Sequence, residues 1–465
     1  MSLENEAVRT DGDVDDLVGI GFGPANLALA IAVDDHNRAA GEPPLRVNFL
    51  ERQRSFGWHR GMLLDGATMQ VSFLKDLVTQ RDPRSRFTFL AYLQERGRLA
   101  DFINLKTFYP TRLEFHDYFE WCAAEFADRV GYARTVTGIR PVTGPDGRTE
   151  QVEVVSEALG GGGRRTRRAR NIAVGTGLTP RLPEGVRTGE HLWHTRDLLL
   201  RAPELAQRPL RHRRIAVVGA GQSAAEAVEY LHRTFPTAEI CAVLTRYGYS
   251  PADDSPFANR IFDPAAVDEF YAAPEGAKRT LLAQHANTNY SVVDGELIEA
   301  LYRTAYQEKV AGQERLRILN ATRLTAAEES ADGARAHVRS LTTGREQVLE
   351  CDAVVLATGY THVDPRELLG AQLAAACRTD EQGRLRVDRD HRVLTDDRLD
   401  VGIYLQGGTE HTHGITSSLL STLAVRSGEI RDSMLLRRAG RDLRARDAVT
   451  AAAATATATV TATAG

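Results

Sequence analysis

The chain has little that would tie it to an oxidising compartment, a membrane or a nucleic acid. Four cysteines occur in 465 residues, and Cys122, Cys241, Cys351 and Cys377 are scattered without a CxxC pair. Such spacing argues against a disulfide framework, a zinc cage and a dithiol redox centre. No apolar run approaches the ~18 residues that a membrane-spanning helix needs. Residues Met1 to Asp16 are polar and acidic, without the basic start and apolar core of a secretory signal. The formal net charge of -4 offers no basic surplus for a nucleic acid or an anionic membrane. These absences predict a cytoplasmic protein with no nucleic-acid partner, no membrane span and no metal centre. What is present is 42% hydrophobic and 26% charged residues, the balance of a globular chain, at a length suited to two or three domains.

The N-terminal pattern predicts a βαβ unit: a strand near Asp16–Ile20, a Gly-rich turn, a helix through Val33 and a strand Leu45–Leu50. Within it, Gly19-Ile20-Gly21-Phe22-Gly23-Pro24 reads as a dinucleotide fingerprint. Gly19 is assigned the tight turn and Gly21 the close approach to a pyrophosphate, with Pro24 standing for the third glycine. The charge of that pyrophosphate would sit on the following helix N-terminus. The second strand ends in Glu51, a carboxylate suited to a ribose hydroxyl, after an apparent insertion near His36–Pro44.

A second βαβ begins at Arg214, where an apolar strand leads into Gly219-Ala220-Gly221-Gln222-Ser223-Ala224. Its next strand, Ile240–Leu244, runs into Thr245-Arg246 rather than an acid. An acid there would repel a ribose 2′-phosphate, whereas Arg246 would pair with it, so NADPH is predicted. Two small-residue segments, Gly175-Thr176-Gly177 and Ala357-Thr358-Gly359, close strands where the chain would leave and re-enter the first domain. The prediction is an α/β fold of two Rossmann-like domains, for FAD and NADPH, with a small mainly helical substrate-binding region. Its boundaries are a disordered lead over 1–15, an FAD domain over 16–195 and an NADPH domain over 196–350. The helical segment lies at about 258–306 within the latter. The FAD domain resumes over 351–440, with a final helix from Ser417 to about Leu436, and a disordered Ala/Thr tail fills 441–465. Gly160–Gly163 and the arginines from Arg164 to Arg170 read as one solvated hairpin loop.

The motifs together resemble the microbial N-hydroxylating flavin monooxygenases, most closely the L-ornithine N-hydroxylases of hydroxamate siderophore synthesis. They are GIGFGPANL from Gly19, MQVSFLKDLVTQRDP from Met69, NLKTFYPTRLEFHDY from Asn104 and GAGQSAAE from Gly219. Further along come DSPFANRIF from Asp254, TNYSVV from Thr288, LATGY from Leu356 and HGITSSLLS from His413. The resemblance spans about Asp15 to Leu436. It implies that NADPH reduces FAD, that molecular oxygen adds as a C4a-hydroperoxide, and that the side-chain amine of L-ornithine attacks it. NADP+ would stay bound, and no protein residue is nominated as catalytic, because the chemistry belongs to the flavin. The amine must be unprotonated to attack, so activity is predicted to rise above neutral pH.

By the same resemblance, Met69 and Gln70 fall at the flavin–nicotinamide junction. Trp58, Thr358 and Gly359 join the cofactor residues, and Ser223 and Arg246 the NADPH region. Lys75 would pair with the substrate α-carboxylate, Asn259 and Asn289 would bind its amino groups, and Ser418 would lie near substrate and flavin. Read without the resemblance, Lys75 more readily pairs with Asp76 or Asp82 in a structural ion pair. Lysine or a diamine is the alternative substrate, a class B flavin monooxygenase the next rival and an inactive nucleotide-binding scaffold the third. A homodimer or tetramer is implied. His411 and His413 lack a third ligand, and Gly189–Thr195 only partly matches a Baeyer–Villiger fingerprint.

Overall fold

The computed structural model describes residues 14–39, 41 and 43–462, and the side chains only as far as residue 444. Two parallel sheets organise the chain. The first runs in the order Gly402–Leu405, Asn171–Val174, Leu17–Ile20, Val47–Leu50 and Val130–Gly131, every pair parallel. The second runs Leu316–Leu319, Glu239–Val243, Arg214–Val218, Ala353–Leu356 and Leu192–His194, again all parallel. Their inner strands are mainly apolar and buried because helices and meanders cover both faces. Each sheet carries a three-stranded antiparallel meander. Arg134–Thr143, Thr149–Ala158 and Arg165–Ala169 serve the first, and Thr322–Ser330, Gly333–Ser340 and Glu346–Cys351 the second.

Helix Pro24–Arg38 starts with proline at its first position and is buried along Asn26–Asp34. Its alanines let it lie between the first sheet and the C-terminal helix that begins at Leu423. The first part of the segment suspected as an insertion, His36–Arg38, extends this helix, and Asn37 exchanges two hydrogen bonds with the Leu45 backbone, at 2.8 and 2.9 Å.

Five sequence-based boundaries move. Leu192–His194 and Ala353–Leu356 belong to the second sheet, so the cuts at 195/196 and 350/351 would each strip it of a strand. The crossings lie further out, where Leu178–Pro180 pairs antiparallel with Tyr360–His362. The lead already joins the fold at Asp15, 3% exposed, whose amide donates to the Arg168 carbonyl; residues 1–13 lie outside the described residues. The final helix starts at Leu423, after two 3-10 turns at Ile415–Ser418 and Leu420–Thr422, and continues to Ala462. The expected disorder over 441–465 is therefore replaced by helical backbone as far as Ala462, in keeping with the high helix propensity of alanine. Positions 463–465 lie outside the described residues. The arginine run is likewise more than a loop. Gly160–Gly163 turn with positive φ, but Arg165–Ala169 pairs with Thr149–Ala158, and Arg168 meets Glu153 at 3.0 Å.

Candidate active site

Both fingerprints open into one cleft of about 2850 Å³. Pockets for a single small ligand span roughly 300–1,000 Å³, so this volume suits several ligands at once. The cleft is walled by the carboxyl ends of the two sheets, where open parallel sheets receive ligands. Gly21, Gly23, Pro24, Glu51, Trp58, Met69, Gln70 and Lys75 line it on one side. Gly219, Gly221, Gln222, Ser223, Arg246, Asn259, Asn289, Thr358, Gly359 and Ser418 complete the set. Of the nominated residues only Gly19 is missing from the lining.

The structure corrects the register of the first fingerprint. Gly19 lies inside the strand, where a Cβ would fall 2.2 Å from the Phe49 ring. The turn glycine is Gly21, with φ +82°, and a Cβ there would fall 2.4 Å from the Gly175 carbonyl oxygen. Gly219 does the same in the second fingerprint, with φ +149° and the Ala357 oxygen at 2.3 Å. Gly23 and Gly221 then occupy the helix N-cap positions. The motif is thus Gly21-x-Gly23-x-x-Asn26, and the third glycine is replaced by Asn26, not Pro24. Asn26 is 1% exposed, and its amide donates to the carbonyls of Ile20, Gly21 and Ala173 at 3.3, 2.7 and 3.4 Å. It pins the turn to the neighbouring strand.

The cradle fits two dinucleotides. Neither N-cap glycine offers a side-chain acceptor, and neither helix has an acid in its first turn. The orphan amides of both helices therefore face the cleft unneutralised, as an anionic pyrophosphate requires. Glu51, 5% exposed, accepts from the Phe22 and Gln53 amides at 2.7 and 2.8 Å. These bonds hold its carboxylate at the strand end and leave lone pairs for ribose hydroxyls. Beyond Val243, Arg246 meets only neutral acceptors among the described residues, the Ser291 carbonyl at 3.0 Å and the Ser250 hydroxyl at 3.4 Å.

Lys75 sits half-buried at the junction. Its ammonium has no ion pair or hydrogen bond among the described residues and lies 5.4 Å from the centre of the Phe262 ring. Burial lowers its pKa from the usual lysine value, against the raising influence of Asp263. The alternative partners are committed elsewhere. Asp76 accepts from the amides of Val78, Thr79 and Phe89, and Asp82 from Arg84. Asn259 lies on the 3-10 turn Ala258–Phe262 and donates from Nδ2 to the Asp254 carbonyl at 2.6 Å, leaving Oδ1 unengaged. Asn289 is exposed in the loop before Ser291. Ser418 Oγ lies 2.9 Å from His362 Nε2. Desolvation within the cleft lowers the His362 pKa from its usual value, with Glu410 opposing, although the ring is open to the cleft itself.

Several contacts at the cleft escaped the sequence reading. Arg112 grips Glu226 in a bidentate pair at 2.7 and 2.9 Å, joining the flavin side to the second fingerprint helix. Glu226 also accepts from Gln222 at 3.0 Å, and Gln222 Oε1 receives the Asp294 amide at 2.8 Å. Tyr290 donates to Glu410 across the cleft mouth. His59 lines the cleft, exposed and held with φ +49°. A separation of 114 residues gave no local signal for the Arg112–Glu226 pair. The two histidines considered for a metal point apart, His411 to the Leu385 carbonyl and His413 against His391.

The family profile described as L-lysine 6-monooxygenase/L-ornithine 5-monooxygenase matches residues 13–362. The chain belongs to this family. A curated relative, the L-ornithine N(5)-monooxygenase of Burkholderia cepacia, is 44% identical over 90% of this chain and 94% of its own. Among solved structures, the ornithine N-hydroxylase of Kutzneria sp. 744 (KtzI-FADred-NADP+-L-orn) is 48% identical. It has a TM-score of 0.86 over 92% of this chain and all of that one. The ornithine hydroxylase PvdA of Pseudomonas aeruginosa is 38% identical, with a TM-score of 0.84 over 91% of this chain and all of its own. Among the described residues, no helix is long and apolar enough to cross a membrane.

Proposed function

We propose that this protein uses FAD, NADPH and molecular oxygen to hydroxylate the side-chain amine of L-ornithine. The product would serve hydroxamate siderophore or related natural-product synthesis. The observation that carries the reading is Lys75, a half-buried ammonium with no ion pair or hydrogen bond among the described residues and only the more distant influence of Asp263, in a cleft that also holds two uncapped helix N-termini. A cation so placed calls for an anion from outside the protein. The α-carboxylate of an amino acid supplies one, whereas ketones, sulfides and simple amines do not.

The turns at Gly21–Pro24 and Gly219–Ser223 would hold the pyrophosphates of FAD and NADPH, Glu51 a ribose of the first and Arg246 the 2′-phosphate of the second. Met69, Gln70, Trp58, Thr358 and Gly359 would line the junction between them. Bound FAD would supply the redox and oxygen-activating chemistry. The chain's own work is to bind, orient and keep out water. Lys75 anchors the carboxylate, Asn259 Oδ1 and the Asn289 amide take the amino groups, and Ser418, steadied by His362, closes the flavin side.

The family description names both lysine and ornithine, which differ by a methylene worth only about 1–3 kcal/mol in an apolar pocket. Similarity to ornithine enzymes at 38–48% identity ranks ornithine first, lysine second and diamines third. A cytoplasmic homo-oligomer, dimer or tetramer, without nucleic acid or metal completes the reading. The test is hydroxylamine formation with NADPH across ornithine, lysine, putrescine and cadaverine, scored against NADPH oxidised. Ornithine should give the highest yield per NADPH; product from the diamines alone would overturn the role of Lys75.

A further inference from the structure

Behind the Ser418 segment lies an ionic cluster that neither fingerprint uses. Its centre is Arg389. Its Nε donates to Asp268 at 2.6 Å, and its two terminal nitrogens grip Glu429 at 2.9 and 2.8 Å. Asp268 lies on helix Pro264–Ala272, which follows directly on the turn carrying Asn259. Glu429 lies on the helix from Leu423, which follows the turns carrying Ser418. One guanidinium thus ties together the helices that back two sides of the amine site. The two turns themselves, Ala258–Phe262 and Ile415–Ser418, pack on each other.

The surrounding contacts support the same joint. The Phe270 ring packs so close to Gly414 (φ +77°) that a Cβ there would come within 3.3 Å of it. Tyr271 donates to Asp388 at 3.2 Å. His391 Nε2 lies 3.0 Å from Glu429 and its ring stacks on His413 at 4.3 Å, while His413 Nε2 meets the Arg389 carbonyl at 3.3 Å. Arg426, 3% exposed, donates to the Ser417 carbonyl from one helical turn before Glu429.

We propose that Arg389 is a positioning residue for N-hydroxylation, setting the gap between Asn259 and Ser418 by joining Asp268 to Glu429. The proposal rests on the reading of Asn259 and Ser418 as flanking the substrate. A displacement of about 1 Å at a reacting atom can cost roughly 100-fold in rate, so a joint that fixes this gap governs whether the amine is aimed. Hydride delivery depends on other walls of the cleft and should not need it. Loss of Arg389 therefore appears as NADPH oxidised without amine hydroxylated.

Arg389→Met and Asp268→Asn decide the matter in the holoenzyme, with anaerobic flavin reduction, ornithine KM and hydroxylamine formed per NADPH as readouts. In Arg389→Met, flavin reduction should stay within about twofold, KM should rise about tenfold and the yield per NADPH should fall below about half. Asp268 is 66% exposed and its loss leaves the Glu429 pair intact, so Asp268→Asn should fold and show the same changes, smaller. Arg389→Lys, able to hold one arm, should recover part of the yield. Unchanged KM and yield in the folded variants, or flavin reduction falling in step with them, would overturn the proposal. If Arg389→Met does not fold, Asp268→Asn decides alone. Asn259→Ala separates the two readings. If it leaves KM unchanged, the assignment of Asn259 fails; if it raises KM while the joint variants do not, the joint fails.

Discussion

Lys75→Met removes an ammonium while keeping a long flexible side chain against Phe262. The folded protein should lose little by it. The ammonium has no ion pair, so what disappears is a cation–π contact at 5.4 Å, worth about 0.5–1 kcal/mol. Relief of the burial that depresses the lysine pKa opposes that loss. Stability should therefore change by less than about 1 kcal/mol. The substrate should lose much more. A hydrogen bond to a charged group is worth about 1.5–3 kcal/mol, and about 1.4 kcal/mol is tenfold, so the ornithine KM should rise roughly 10- to 150-fold. The measurements are steady-state hydroxylamine formation, anaerobic flavin reduction by NADPH and a thermal melt. Putrescine, which lacks the carboxylate, provides the internal control: its turnover should be unaffected by the substitution. A melt several degrees lower with flavin reduction falling in parallel would make Lys75 a structural residue. An equal KM rise for ornithine and putrescine would refute carboxylate pairing.

Arg246→Ala should raise the NADPH KM about tenfold or more while leaving the NADH KM within about twofold, because only the 2′-phosphate contact is removed; equal losses would exclude that contact. Glu226→Gln breaks the pair with Arg112, whose side chains are 7% and 12% exposed. It should cost about 3 kcal/mol in denaturant unfolding, and an unchanged midpoint would remove the pair from any account of how the two sheets are joined. Glu429 is held down to about 2 in the folded chain by His391 and Arg389, against the opposing effect of burial. Its stabilisation is present above its unfolded pKa of about 4.3 and is lost as pH falls towards 2. Glu429→Gln should flatten the stability–pH curve over that acid window and not near neutrality. For turnover, ornithine hydroxylation should rise with pH above neutrality as the substrate amine loses its proton. The ornithine KM should then climb as pH nears the Lys75 pKa, which lies below 10.5; a KM flat to pH 10.5 would contradict the burial of Lys75.

Both Rossmann-like units were legible because their signal is local. An apolar run, a glycine turn and an amphipathic or fully buried helix stand within about 30 residues of each other. The helical stretch near 258–306 was legible for the same reason, and it does supply the turn and helices around Asn259 and Asn289. Sheet membership was not legible. Leu192–His194 and Ala353–Leu356 join the second sheet through partners chosen by tertiary packing, and nothing in their own residues announces which sheet they enter. Low complexity in the Ala/Thr tail removes a packing pattern without removing helix propensity. Arg389, Asp268 and Glu429 are separated by 121 and 40 residues, and each alone reads as a solvated charge.

The fingerprint shows why a motif needs its strand before its spacing can be read. Three glycines at Gly19, Gly21 and Gly23 fit the generic pattern in two registers, and starting at the first one makes Pro24 the substitute for the third. The strand end decides otherwise. Hydrogen-bonded pairing continues through Ile20 with Leu50 on one side and Val174 on the other, so the turn cannot begin before Gly21. Once Gly21 is aligned with Gly219, both turn glycines abut a carbonyl of a small-residue segment, at Gly175 and at Ala357. Those segments are therefore part of the turn's packing as well as lining of the cleft. The third position also changes character. A glycine there would allow close helix–strand packing, whereas Asn26 adds hydrogen bonds to three carbonyls, so the first turn is tied down by a side chain where the second relies on Ala224. That asymmetry fits the proposed division of labour, since a flavin retained from one cycle to the next needs a fixed cradle and a coenzyme released at the end of each cycle does not.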